Sequence, residues 1–418
     1  MKKLISMVQK TFLKPQSDTA RSDTSRSFTA AASAAAIFIM AAALLSGCEG
    51  SSSSTTAAPV PETTEAVTEA ETEPEKVITV ESEVIEEEEE DVPPEEGMVR
   101  SALTHLWIPE ELARKRPIAV MYPIDKKAQP QYGLNKVDIF YEIMEEGDMS
   151  RQMGVIQDWE DLERIGNVRS IRDYFIYEAL EWDSIIVHFG GPETFVKPML
   201  TRKDVDNING VGGVMGSDYG AYYRIPKGSK SEHTAYTDGA NILKAIEKAG
   251  WSREHREEYW QPDHWKFASD RELYRLEDHP DAVDATEIDM KGCYPVTKSS
   301  LTYKDGLYYR SIYGSPQKDG RTGEQLAFSN VLIENCVWGR RGGSLYLYFH
   351  VLDSMHEGYF ITGGKMIHCT WMKNADYEAT RFFDDNGEEI RLNPGKTMVF
   401  ITQEGHNSFT VNGVKYSL

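Results

Sequence analysis

Residues 165–175 read IGNVRSIRDYF, and Arg169 and Arg172 flank the first position of a capping-box pattern, Ser170-Ile-Arg-Asp173. Free N–H groups at a helix start already carry partial positive charge, so two guanidiniums placed there call for an anion. The anion is a phosphate, an external carboxylate, or a carboxylate of the chain itself. An internal supply is close by: YEIMEEGDMSR brings Glu142, Glu145, Glu146, Asp148 and Arg151. In a strand over 137–144, Asp138, Phe140 and Glu142 share one face. If that face is packed, Glu142 becomes a sheltered carboxylate that requires an arginine. A ligand site on Arg151, Arg169 and Arg172 and a structural Arg–Glu network are therefore both open.

A second constellation is IIVHFGGPE, a strand that ends on His188 and runs into Gly190 and Gly191. A loop after such a strand lies on the side of an α/β sheet where ligands collect, and paired glycines let backbone approach them. SEHTAYTDG adds His233 ahead of a helix start. Glu142 with His188 or His233 would make an acid and a base; the bland alternative for each histidine is a ring satisfied by a neighbouring carbonyl. No GxSxG elbow, HExxH helix or GxxxxGK[ST] loop is present. Local His and acid spacing suits no metal, so neither a metal nor a cofactor is expected. Basic residues are not clustered with aromatics and the balance is acidic, which disfavours nucleic acid as a partner.

These residues need elements to hold them. IAVMY (118–122), VDIFYEIM (137–144), RQMGVIQ (151–157) and IIVHF (185–189) are apolar or alternating runs of strand type. They interleave with SIRDYFIYEALEW, PETFVKPMLTR and TDGANILKAIEKAG, the last with Thr237 or Asp238 at its start, Leu243, Ile246 and Ala249 on one face, and Gly250 beyond its end. From about residue 300 helical periodicity nearly vanishes, and strand-like runs are separated by Gly, Asp and Asn turns such as DNG and NG. The fold class expected is α+β in two domains: an α/β layered domain over 98–255, then a mainly antiparallel β domain over 256–418.

Ahead of residue 98 the chain carries different information. A basic leader runs into SFTAAASAAAIFIMAAALLSGC, the layout of a secretory signal over 1–47. LLSGC resembles the lipobox of bacterial lipoproteins, which implies a diacylglycerol lipid on the sulfur of Cys48. The apolar stretch read alone would also suit a plain membrane anchor. Residues 48–97 are almost without aromatics and strongly acidic, with 17 acids against one lysine in 49–97, and so carry most of the net charge of −22. Such a composition predicts a disordered tether. Besides Cys48 the chain has Cys293, Cys336 and Cys369, an odd number that argues against a disulfide framework.

The order PIAVMYPID, AQPQYGLNKVDIFYEIMEEGDMSRQMGVI, IGNVRSIRDYFIYEALEWDSIIVHFGG, EHTAYTD, YYRSIYGSPQKDGRTGEQLAFSNV and FFDDNGEEIRLNPGKT resembles the YerB-like lipoprotein family over nearly all of 112–405. The resemblance implies an exported lipoprotein with an α/β first domain, a β-rich second domain and no established activity. It carries Glu142, Arg151, Arg169, Arg172, His188, Gly190, Gly191 and His233 over as signature polar and glycine positions. Gln129, Thr234 and Met398 depart from it, where the family tends to have Arg, Asn and Trp. Together these features predict a lipid-anchored protein on the extracytoplasmic face of the cell membrane. It would bind an anionic wall polymer or an envelope protein through an Arg-lined crevice. A wall hydrolase or transferase and a structural scaffold are the alternatives.

Overall fold

The computed structural model describes residues 92–226, 231–269 and 272–418. The expected signal peptide, lipidation at Cys48 and all but the end of the tether lie outside the described residues. The chain is mostly sheet with few helices.

The four apolar runs of the first half form β1 (Ile118–Pro123), β2 (Ile139–Met144), β3 (Ser150–Ile156) and β4 (Ile185–His188), and a fifth strand not expected from its sequence, NIN, forms β5 (Asn207–Asn209). Every residue of the five is buried, and most positions of β1, β2 and β4 are accordingly apolar, whereas β3 and β5 also bury Arg151, Gln152, Asn207 and Asn209. The second half supplies β6 (Val283–Asp284), β7 (Glu287–Asp289), β8 (Ser300–Lys304), β9 (Leu307–Ile312), β10 (Ser315–Pro316), β11 (Ala327–Phe328), β12 (Asn330–Cys336), β13 (Asp353–Thr362), β14 (Lys365–Lys373), β15 (Arg381–Phe383), β16 (Thr397–Gln403), β17 (Ser408–Val411) and β18 (Val414–Ser417).

One large sheet has the order β6-β14-β13-β12-β16-β2-β3-β1-β4-β5, with β15 beside β14. The junction expected at 255/256 is thus not a break in backbone pairing. β16 from the second half pairs in parallel with β2 from the first, Thr397 opposite Ile139 and Ile401 opposite Ile143. The Tyr294 hydroxyl pins this seam, 2.8 Å from both the Glu142 and Ile401 carbonyls. A smaller antiparallel sheet, β10-β9-β8-β7-β17-β18 with β11 beside β9, belongs to the second half alone.

The α-helices of eight or more residues among the described residues of the first half are α1 (Asp173–Leu180), α2 (Glu193–Leu200) and α3 (Gly239–Ala249). α3 starts and stops as expected, with Asp238 accepting from the Asn241 N–H at 2.8 Å and Gly250 at φ 72°. Its buried stripe is Ile242, Ala245 and Ile246, while Leu243 is only half-buried, one position off the expected face.

Candidate functional site

Strands β12, β16, β2, β1, β4 and β5 all run one way, because each neighbouring pair is parallel except around the reversed β3. Their carboxyl ends therefore line a single edge. Along it follow Glu145 and Glu146 after β2, Asp125 after β1, Gly190 and Gly191 after β4, and Arg151 at the incoming end of β3.

The segment 168–171 joins this edge by tertiary backbone pairing. Val168 N–H donates to Ala235, Arg169 N–H to Met121 and Ile171 N–H to Gly190, at 2.8–3.0 Å, and Arg169 accepts from the Phe189 N–H at 2.9 Å. Those bonds hold the backbone extended, so α1 begins only at Asp173, with Arg172 as its N-cap at φ −121° and ψ 158°. The expected capping box is not formed. The Ser170 hydroxyl donates to the Phe189 carbonyl instead, and Asp173 pairs with Arg341. Arg169 thus lies well before the helix rather than beside its first turn.

The three arginines do meet, but two of them are taken. Arg172 forks onto Glu146, with Nε 2.8 Å from Oε1, and reaches Glu145 at 2.9 Å. Burial opposes its charge, yet Glu146 and Glu145 more than offset that cost and hold the guanidinium above its ordinary value. Arg151 pairs with the other oxygen of Glu145 and donates to the Ser170 carbonyl at 3.0 Å. Arg169 differs. Half-buried, it makes one long contact to the Glu232 carbonyl at 3.4 Å, and its Nε has no acceptor. Among the described residues it forms no ion pair. Burial and the neighbouring Arg151 push it below the usual arginine value, with Glu145, Asp125 and Glu232 acting from farther off.

The expected acid and base are elsewhere and sealed. Glu142 has no solvent exposure and is held by Ser150, Thr297, Ser299 and Arg310, the Ser299 contact at 2.7 Å. Neither histidine is among its partners. Its arginine is Arg310, which also donates to Gln317 Oε1 at 2.7 Å and to the Met398 sulfur at 3.4 Å. That partner was visible in principle: in LYYRSI the alternate residues Tyr308, Arg310 and Ile312 are the buried set, so a charge stands on the apolar phase of a strand. His188 is fully buried, its ring between the Gly190 carbonyl at 2.9 Å and Asn207 Oδ1 at 3.1 Å, and burial pushes its pKa down. His233 is also buried, 3.8 Å from Asp125 and 3.7 Å from Glu232.

The glycine pair answers to packing. Gly190 sits at φ 79°, and a side chain there would meet Val211 at 2.9 Å; one at Gly191 would meet the Ile171 carbonyl at 3.0 Å. Both glycines admit the protein's own chain. Cys293, Cys336 and Cys369 are buried free thiols. Among the described residues no cluster of three or more His, Cys, Asp or Glu is arranged to hold a metal, and no helix is long and apolar enough to cross a membrane.

A family described as a protein of unknown function (DUF3048) matches this chain twice, its N-terminal domain over residues 103–252 and its C-terminal domain over 289–399. The chain belongs to the DUF3048 family. YerB of Bacillus subtilis (strain 168), which bears the name of a lipoprotein, is 28% identical over 323 residues, covering 75% of this chain and 89% of that protein. The crystal structure of YerB protein from Bacillus subtilis superposes with a TM-score of 0.62 at 25% identity, covering 75% of this chain and 99% of the other. The DUF3048 match to the second half ends at 399, inside β16 (Thr397–Gln403), and so takes in the start of the strand that joins the halves.

Proposed function

We propose that this DUF3048 protein is a non-catalytic binding module, anchored by lipid on Cys48 to the extracytoplasmic face of the cell membrane. It takes an anionic component of the envelope at the carboxyl edge of its large sheet. The lipoprotein name of YerB and the LLSGC sequence support the anchor. The strongly acidic, aromatic-poor composition of residues 49–97 supports reading them as a tether between the anchor and the folded part.

One observation carries the binding reading: of three converging arginines, Arg169 alone has no carboxylate partner among the described residues. A half-buried guanidinium with an unused Nε is a site for a carboxylate or phosphate oxygen. Arg151 and Arg172, fixed by Glu145 and Glu146, position the segment that presents it. Catalysis by Glu142 with His188 has no comparable support, since both are enclosed and bonded to the protein's own groups.

The pairing of Arg151 and Arg172 favours a second reading, a scaffold whose polar edge is purely structural. Co-sedimentation of the full chain with purified cell walls separates the two. Binding that falls about tenfold or more in Arg169→Gln, with unfolding unchanged, supports the anion site. Binding equal to the parent in Arg169→Gln leaves the scaffold.

A further inference from the structure

At the opposite edge of the same sheet, where β2 and β16 begin, a hollow of about 450 Å³ opens between the two halves of the chain. Its volume lies in the range of small-molecule sites, about 300–1,000 Å³. Leu134 comes from the approach to β2, Leu307 and Tyr309 from β9, Leu326 and Phe328 from in and around β11, and Lys396 from the residue before β16. Leu134, Leu326 and Phe328 are buried core residues, so the floor is apolar and fixed. Tyr309 is half-buried, and its hydroxyl has no hydrogen bond among the described residues.

Lys396 is the cation of this hollow. Its ammonium donates to the Asn135 carbonyl, and no carboxylate of the described residues lies within ion-pair distance. Lys136 next door, by contrast, is paired with Asp158. Burial pushes the Lys396 ammonium down, while Asp138 and Glu324 favour its charge from farther away. A partly buried ammonium beside an apolar floor, with spare N–H donors, is half of an unfinished ion pair.

The chemistry of the missing half is restricted. A single ammonium, with no guanidinium among the lining residues, suits one negative charge better than a phosphate dianion. Glu324 on the rim repels a second charge further. We propose that this hollow binds a small monocarboxylic acid, its carboxylate on Lys396 and its aromatic or branched apolar tail against Leu307, Leu326 and Phe328. The site is separate from the arginine edge, and neither reading depends on the other.

The test is calorimetric titration of the full chain in nanodiscs with 3-phenylpropionate, using 3-phenylpropanol as the control that keeps the tail and loses the charge. The acid is expected to bind about tenfold or more tightly than the alcohol. Lys396→Met abolishes that preference and leaves the affinity for the alcohol. Leu307→Trp fills the floor, keeps the lysine and weakens both ligands about tenfold. No binding of the acid at about 5 mM, equal affinity for acid and alcohol in the parent, or an undiminished preference in Lys396→Met overturns the proposal.

Discussion

Glu178→Met is expected to stabilise the protein increasingly as pH rises. Glu178 lies on α1, 1% exposed, and neither of its carboxylate oxygens has a hydrogen-bond partner. The groups that act on it are Lys373 of β14, which favours its charge, and Glu181 just past α1, which opposes it; buried Glu334 of β12 interacts with it in turn. Glu181 claims the lysine at 2.7 Å and takes further bonds from Thr380, so Lys373 and its partner form a closed pair. Burial then pushes Glu178 up to about 8 from an ordinary value of 4.5. The sign follows directly. Below pH 4.5 folded and unfolded chains both hold the proton, and no stability difference arises. Above it the unfolded chain releases the proton and the folded chain does not, so stability falls until pH passes the folded value. At pH 7 the penalty is about 3 kcal/mol, from 2.5 pH units at about 1.36 kcal/mol each. Methionine has nothing to ionise, so urea unfolding at pH 5, 6 and 7 should show a variant-minus-parent difference that grows by about 1 kcal/mol or more per unit. Packing changes shift all three points together and do not affect the slope. A difference flat across pH, or one that shrinks as pH rises, refutes the argument.

Arg310→Met removes one partner of a pair with no exposure on either side and should cost about 3–5 kcal/mol in urea unfolding; Arg310→Met with Glu142→Gln should cost less than the sum of the two single changes. Gly190→Ala forces a side chain to φ 79° and against Val211, so a loss of about 1–3 kcal/mol is expected. Asp238→Ala should lower stability by about 1 kcal/mol through loss of the α3 cap, with no effect on wall binding. Burial pushes the thiols of Cys336 and Cys369 up, so alkylation should follow unfolding rather than precede it; fast labelling of the folded chain would contradict their burial.

Local pattern carried much of the fold. IAVMY, VDIFYEIM, RQMGVIQ and IIVHF form neighbouring strands because burial on both faces keeps most of their positions apolar, with Glu142, Arg151 and His188 among the hydrogen-bonded exceptions. The ends of α3 were legible because a cap is a contact between residues three or four apart. Ser170-Ile-Arg-Asp173 has the same local signature and fails, because residues remote in sequence claim its backbone first: Ala235 bonds Val168 and Gly190 bonds Ile171. The fate of Glu142 was half legible. An arginine was anticipated, but the one that arrives is 168 positions away, and spacing cannot announce such a partner. For the same reason Lys396 and its hollow, made from four separate stretches, left no local trace. The chain read as two successive units because periodicity changes midway, yet β16 crosses into the first sheet, and no periodicity encodes which edge a strand will join.

That crossing gives the protein an order of assembly. A chain that emerges amino end first has β1 to β5 long before β16, so the Ile139–Met144 edge stays uncovered until residues 397–401 are available. An uncovered apolar edge invites pairing with other chains, and a closure this distant in sequence is slow. Any product that stops short of residue 397 therefore lacks more than a second domain: it keeps the first half with its central strand open on one side. The first sheet is completed from far along the chain, and the exposed edge of the Ile139–Met144 strand is covered only by Thr397–Ile401.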